Sequence, residues 1–147
     1  MLSKTSQYAL IAMSNLAGRN GVGSTVREIA AETKVPAGYL SKVMRSLRTA
    51  GLVRSRRGLK GGVSLSRPPA EISALQIIQA VDQSSRVDTC PLGRTEHCEA
   101  MCSVHRKIDQ AVSIIEQTFL KITLSELADT AGVCPARDGR VSLEPPC

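Results

Sequence analysis

The chain has no tryptophan, one phenylalanine and two tyrosines among its 147 residues. With so few rings, the core must be built from Leu, Ile, Val, Ala and Met, which suits helix packing better than a β-sandwich. Long apolar runs are also missing. Ala9–Ala17 is interrupted by Ser14 and Asn15, and no run reaches the roughly 20 residues that cross a bilayer. Only Lys4 precedes that stretch, so no export signal is expected. The expected location is the cytoplasm, where thiols stay reduced and clustered cysteines bind metal more often than they pair. Histidine occurs only as His97 and His105, both in one cysteine-rich stretch. None remains elsewhere to activate a nucleophile, and no glycine-rich turn opens a helix to cradle a phosphate. An enzyme is therefore not expected.

Acidic residues are nearly absent from one half. Residues 1–70 hold twelve Lys/Arg against Glu28 and Glu32 alone, a balance of +10, whereas residues 71–147 hold seven against eleven acids, a balance of −4. That segregation points to a polyanionic partner, double-stranded DNA, for the first half only.

Taken in order, Thr5 or Ser6 can cap a first helix running to about Gly18. Its Ala9, Met13 and Leu16 recur at helical spacing. Thr25 and Glu28 form a capping box that opens a short second helix. Thr33-Lys-Val is a tight connection, and Pro36 suits the first turn of a third helix that Gly51 terminates. Leu40, Val43, Met44 and Leu47 make that helix's apolar stripe, and Ser41, Lys42, Arg45 and Arg48 face the other way. A short helix, a tight turn and a second helix with basic residues outward describe a helix-turn-helix.

Two short β-prone stretches, Leu52–Arg57 and Val63–Arg67, flank Gly58-Leu-Lys-Gly-Gly62 and predict a hairpin. It carries Arg54, Arg56, Arg57, Lys60 and Arg67. A basic hairpin directly after a helix-turn-helix is a wing. Pro68-Pro69 ends it. Ser73 then caps a helix, continuing to about Asp82, with Leu75, Ile78 and Val81 on one side.

The next stretch is Cys90-Pro-Leu-Gly-Arg-Thr-Glu-His-Cys98-Glu-Ala-Met-Cys102-Ser-Val-His105. Thiolates are soft ligands suited to iron–sulfur clusters and zinc, and an imidazole can complete either set. Cys102 and His105 are three apart and can point the same way on a first helical turn. These cysteines sit among Pro, Gly, Arg, Glu and His, unlike buried thiols on apolar stripes. The expected metal set is Cys90, Cys98, Cys102 and His105. His97 ranks lower because its adjacency to Cys98 would strain a chelate.

From Ser103 to Ile122 the pattern is helical again. Val104, Ile108, Ala111, Ile115, Thr118 and Ile122 form a heptad-like seam, widened by Val112 and Phe119. A long helix with such a face predicts a C₂ homodimer matching half-sites about 34–36 Å apart on a partly palindromic operator. Thr123 and Glu126 open one more short helix to about Thr130. Residues 131–147, rich in turn breakers and carrying Cys134 and Cys147, read as a flexible tail.

The assembled chain resembles the Rrf2 superfamily of bacterial transcription regulators, which includes IscR-like and NsrR-like iron–sulfur regulators. The resemblance rests on Tyr8-Ala9, Tyr39-Leu40, Arg57-Gly-x-x-Gly-Gly62, Ala80-Val81-Asp82, the three cysteines and Ile122-Thr-Leu-x-Glu-Leu127. It implies a winged-helix dimer crossing through the long helix, with a cluster near the interface. NsrR-like members take an Asp ligand from the first helix, where this chain has Gln7. His105 matches the placement of the IscR-like histidine, which favours a 2Fe–2S centre and leaves 4Fe–4S open.

The expected fold is mainly α with a small β-hairpin wing. A winged helix-turn-helix spans 1–82, a cysteine-rich cluster-binding loop 83–102, a dimerisation helix with a short following helix 103–130, and a tail 131–147. The expected function is a DNA-binding transcriptional regulator, a repressor, whose cluster senses iron or cluster supply, redox state or nitric oxide. Its DNA-contacting set is Tyr39, Ser41, Lys42, Arg45, Arg56, Arg57 and Lys60. A regulator with a structural Cys₃His zinc site, or a metal-cluster carrier docking a protein partner, stands as the alternative.

Overall fold

The computed structural model describes residues 2–19, 21–56, 62–82 and 103–130. They form helices α1 (Lys4–Ala17), α2 (Val26–Thr33) and α3 (Ala37–Thr49), then the antiparallel strands β1 (Val53–Arg56) and β2 (Gly62–Leu65). A single 3-10 turn (Pro69–Glu71) leads into α4 (Ala74–Val81), and α5 (Ser103–Lys121) and α6 (Leu124–Thr130) follow. The chain is mainly helical with one two-stranded hairpin, as expected.

The first cap is not where the sequence places it. Ser3 caps α1, its hydroxyl accepting the Ser6 amide at 3.1 Å, and Thr5 and Ser6 lie inside the helix. Their hydroxyls are taken by distant partners, which a local reading cannot see. The capping box of α2 forms as expected. Thr25 Oγ1 accepts the Glu28 amide at 3.2 Å, and Glu28 Oε2 accepts the Thr25 amide at 2.8 Å. Helix α2 ends on Lys34 in the left-handed region (φ 58°), which turns the chain sharply toward α3. Pro36 stands at the N-cap of α3 rather than within its first turn. Gly51 (φ 72°) follows its C-cap and ends the helix. The stripe Leu40, Val43, Met44 and Leu47 is buried.

The hairpin pairs Val53 with Leu65 and Arg56 with Gly62. Among the described residues β1 starts at Val53 rather than Leu52 and β2 ends at Leu65 rather than Arg67, and β2 gains a partner outside the hairpin. Ser24 and Val63 exchange both backbone hydrogen bonds, at 3.0 and 2.7 Å, so the loop before α2 forms a third rung beside the wing. The wing turn, with Arg57 and Lys60, lies outside the described residues.

Helix α4 opens with a reciprocal box between Ser73 and Gln76. Its fully buried residues are Ala74 and Ile77, whereas Leu75, Ile78 and Val81 are half-buried. Helix α4 packs against α1, α3 and α5, and its Ala74 and Ile77 take the deepest positions. Backbone bonds from Leu124 to the Ile72 carbonyl (2.8 Å) and from Ala74 to the Ile122 carbonyl (2.9 Å) pin the α5–α6 junction to the start of α4.

The core lies between α1, α3 and α4, with Met13, Leu16, Ile29, Leu40, Leu47, Ile72, Ile77 and Leu124 buried. Among the described side chains of α5 none is buried, and Ile114, Ile115 and Leu120 are 61, 51 and 57% exposed.

Candidate nucleic-acid interface

Helix α3 presents Ser41, Lys42, Arg45 and Arg48 on the face opposite its buried stripe, all exposed. This division follows from the 3.6-residue period: Leu40, Val43, Met44 and Leu47 must face inward to close the core, which forces the four polar residues outward. Ser41 Oγ donates to the Ala37 carbonyl at 2.9 Å, so its proton is spent within the helix and its lone pairs point out to accept. Beside this face runs an open cleft of about 380 Å³, lined by Lys42, Arg45 and Arg48 from α3, Val26 from α2, and Ser55 and Val63 from the hairpin. The cations of α3 line this cleft, while the hairpin closes it with the uncharged Ser55 and Val63.

On the hairpin, Arg54 and Arg56 are exposed. Arg54 Nε donates to Ser64 Oγ across the strands at 3.3 Å, which holds its guanidinium over the sheet. Both arginines line a smaller hollow of about 200 Å³ with Gly21, Gly23 and Gly62. Gly62 sits at φ +150°, and a Cβ there would stand 2.8 Å from Ser24 backbone atoms. Only glycine lets the wing lie this close to the loop.

The carboxylates near this surface are committed elsewhere. Hydrogen bonds from the Thr25 backbone and the Ser24 hydroxyl hold the Glu28 carboxyl below its ordinary range. Glu32 is likewise held down by Arg19, its ion-pair partner, and by Asn15. Both stay ionised at neutral pH while α3 and the wing keep their positive field.

Tyr39 belongs to the first turn of α3 and is 40% exposed. Its hydroxyl hydrogen bonds Thr5 Oγ1 at 2.8 Å, and its ring meets Tyr8 edge to face, centroids 5.4 Å apart. Helix α1 therefore fixes the start of the reading helix. Thr5, Ser24 and Tyr8 support this surface without having been singled out for it, since their partners lie far along the chain.

Of the expected metal ligands, Cys90, Cys98 and Cys102 lie outside the described residues, and His105 falls in the first turn of α5. Among the described residues no three His, Cys, Asp or Glu side chains group closely enough to hold a metal. No helix among them is long and apolar enough to cross a membrane.

Comparison with known proteins places this surface in context. A family profile, Rrf2, described as an iron-dependent transcriptional regulator, matches residues 2–130. A protein of Aquifex aeolicus (strain VF5), named for HTH-type transcriptional regulation, is 34% identical over 130 residues, covering 86% of this chain and 90% of that one. Among solved structures, IscR of T. potens superposes with a TM-score of 0.70 at 28% identity, covering 93% of each chain. CymR, the global cysteine regulator of B. subtilis, superposes with a TM-score of 0.69 at 27% identity, covering 88% of this chain and 96% of its own.

Proposed function

The chain belongs to the Rrf2 family of transcriptional regulators, and on that premise we propose that it is a homodimeric repressor whose grip on DNA answers to an iron–sulfur centre. It is a regulator of the DNA-binding type and not an enzyme.

On this reading Tyr39, Ser41, Lys42 and Arg45 enter the major groove, and Arg56, Arg57 and Lys60 hold the flanking backbone or minor groove. The apolar face of α5, left uncovered in one chain, packs on a second copy and sets the distance between two such surfaces. Acting on an operator, the protein works in the cytoplasm. Residues 1–82 act as the head, 83–102 as the sensing segment, 103–130 as the dimer arm and 131–147 as a tail.

The observation that carries the sensing part is the donor set: three thiols and an imidazole, Cys90, Cys98, Cys102 and His105, between the head and the arm. Soft thiolates with one imidazole fit an iron–sulfur centre, 2Fe–2S by preference or 4Fe–4S, and the start of α5 favours the thiolates' negative charge. Bound there, such a group would supply a redox-active charge sensitive to oxygen, nitric oxide or iron supply. Held by Cys90, Cys98, Cys102 and His105, it would restrain the chain joining α4 to α5. A coupling of about 1–3 kcal/mol would change operator affinity roughly 5- to 150-fold.

A second reading has its own support. The likeness to a cysteine regulator suits a chain whose thiols bind no cluster, and the same donor set fits zinc. Anaerobic purification followed by iron and sulfide counts and visible and EPR spectra decides between them. Coloured protein with stoichiometric iron and sulfide, lost in Cys98→Ala, supports the cluster; colourless protein with zinc or no metal discards it. Salt-dependent retention of promoter DNA over random duplex discards the carrier alternative.

A further inference from the structure

The first turn of α1 touches two elements that do different work. Thr5 Oγ1 and Tyr39 Oη are 2.8 Å apart, and the Tyr8 ring stands edge-on to Tyr39 at 77°. These contacts hold the first turn of the reading helix. One residue further on from Thr5, Ser6 is fully buried, and its hydroxyl donates to Asp82 Oδ2 at 3.4 Å while lying 3.1 Å from Ser3 Oγ. Asp82 is the C-cap of α4 and the last described residue before the cysteine segment.

Successive helical residues point about 100° apart, so Thr5 and Ser6 reach α3 and α4 from a single rigid turn. The Ser6 hydroxyl has two acceptors within reach, Asp82 and Ser3. A buried hydroxyl does not go unpaired without cost, so its bond to Asp82 ties the position of this turn to that of the end of α4. Tyr39, gripped by the same turn through its hydroxyl and its ring, must follow.

We propose that Thr5, Ser6 and Tyr8 are positioning residues that couple Asp82, at the mouth of the cysteine segment, to Tyr39 at the start of the reading helix. The link deepens the switch proposed above and rests on α3 reading DNA, but it is a property of the polypeptide and needs no bound metal.

A double-mutant cycle tests it on the full, metal-free chain. The probe is a fluorescent duplex selected from a random pool by the wild-type protein, and Kd is measured for Asp82→Asn, Thr5→Val and the double variant. Residues without a shared partner add, whereas linked ones depart from additivity by on the order of 3- to 10-fold in Kd. We expect that departure, and Thr5→Ser, which keeps the hydroxyl, should bind as the wild type does. Additive effects overturn the proposal.

A second measurement guards against poor folding of the variants. Tyr8 and Tyr39 are the only tyrosines and tryptophan is absent, so intrinsic emission reports this ring pair alone. Asp82→Asn and Ser6→Ala should each change it while thermal unfolding stays cooperative; unchanged emission in both overturns the link. Iron and sulfide binding enters neither measurement, so failure of the cluster reading and failure of this one remain distinct.

Discussion

Gly62 shows how much one missing methyl group can decide. Its backbone lies at φ +150°, and a Cβ would meet Ser24 backbone atoms at 2.8 Å. Gly62→Ala must either push the wing off the loop or break the Ser24–Val63 pairing, at a cost of about 1–3 kcal/mol. A lowered unfolding temperature with weaker duplex binding is expected; an unchanged unfolding curve would mean that the wing yields freely. Glu28 offers a pH-dependent counterpart. Its carboxyl titrates below its ordinary range because the Thr25 backbone and Ser24 hydroxyl stabilise the ionised form. A carboxylate with a depressed folded value contributes stability above its unfolded value and loses it as pH falls through the folded one. The gap in thermal stability between wild type and Glu28→Gln should therefore be present at neutral pH and close on acidification through the carboxylate range. A gap that widened with acid would contradict the capping geometry.

At the scale of elements, α3 buries one face and exposes Ser41, Lys42, Arg45 and Arg48 on the other, and the recognition role proposed for the exposed face can be tested separately. Lys42→Ala and Arg45→Ala remove exposed charges and should leave unfolding unaltered. Each should flatten the dependence of log affinity on log salt by about 0.9 for every phosphate left without its cation. A variant that weakened binding with an unchanged salt slope would place that side chain elsewhere than on the backbone. Much of this element could be read without a structure, because the signals are local: the Thr25–Glu28 box, the Ser73 cap, the Leu40–Leu47 stripe and Gly51 all act within a few residues of chain. The misread caps share one physical cause. Thr5 and Ser6 look like caps, but their hydroxyls are drawn to Tyr39 and Asp82, 34 and 76 residues away. Ala74 and Ile77 take the deepest positions on α4, beside the half-buried Leu75, Ile78 and Val81. The pairing of Ser24 with β2 has no sequence signal, since any residue can lend its backbone. The expected ligand set rests on residue type and spacing alone, since its three cysteines lie outside the described residues.

For the whole molecule, the decisive feature is the uncovered face of α5. Ile114, Ile115 and Leu120 stand in solvent in one chain, and a second copy packed along that helix would remove them from it. Ile115→Asp puts a charge into that seam. Sedimentation should show the mass falling to that of a single chain, and operator affinity should drop on the order of 100-fold as two tethered heads become one. A wild type that already sediments as a single chain, or a mass unchanged by the substitution, would discard the proposed α5 seam. The tie between Ser24 and Val63 bears on this scale too. It pairs β2 of the wing with the approach to α2, and on the proposed reading this holds groove reader and flanking clamp at one fixed offset. Such a pair has no give of its own: the offset between what it touches in one groove and in the next is set at folding. An operator with one base pair too many inside a half-site should thus be refused outright, whereas an extra pair between half-sites would test only the joint that connects the two copies.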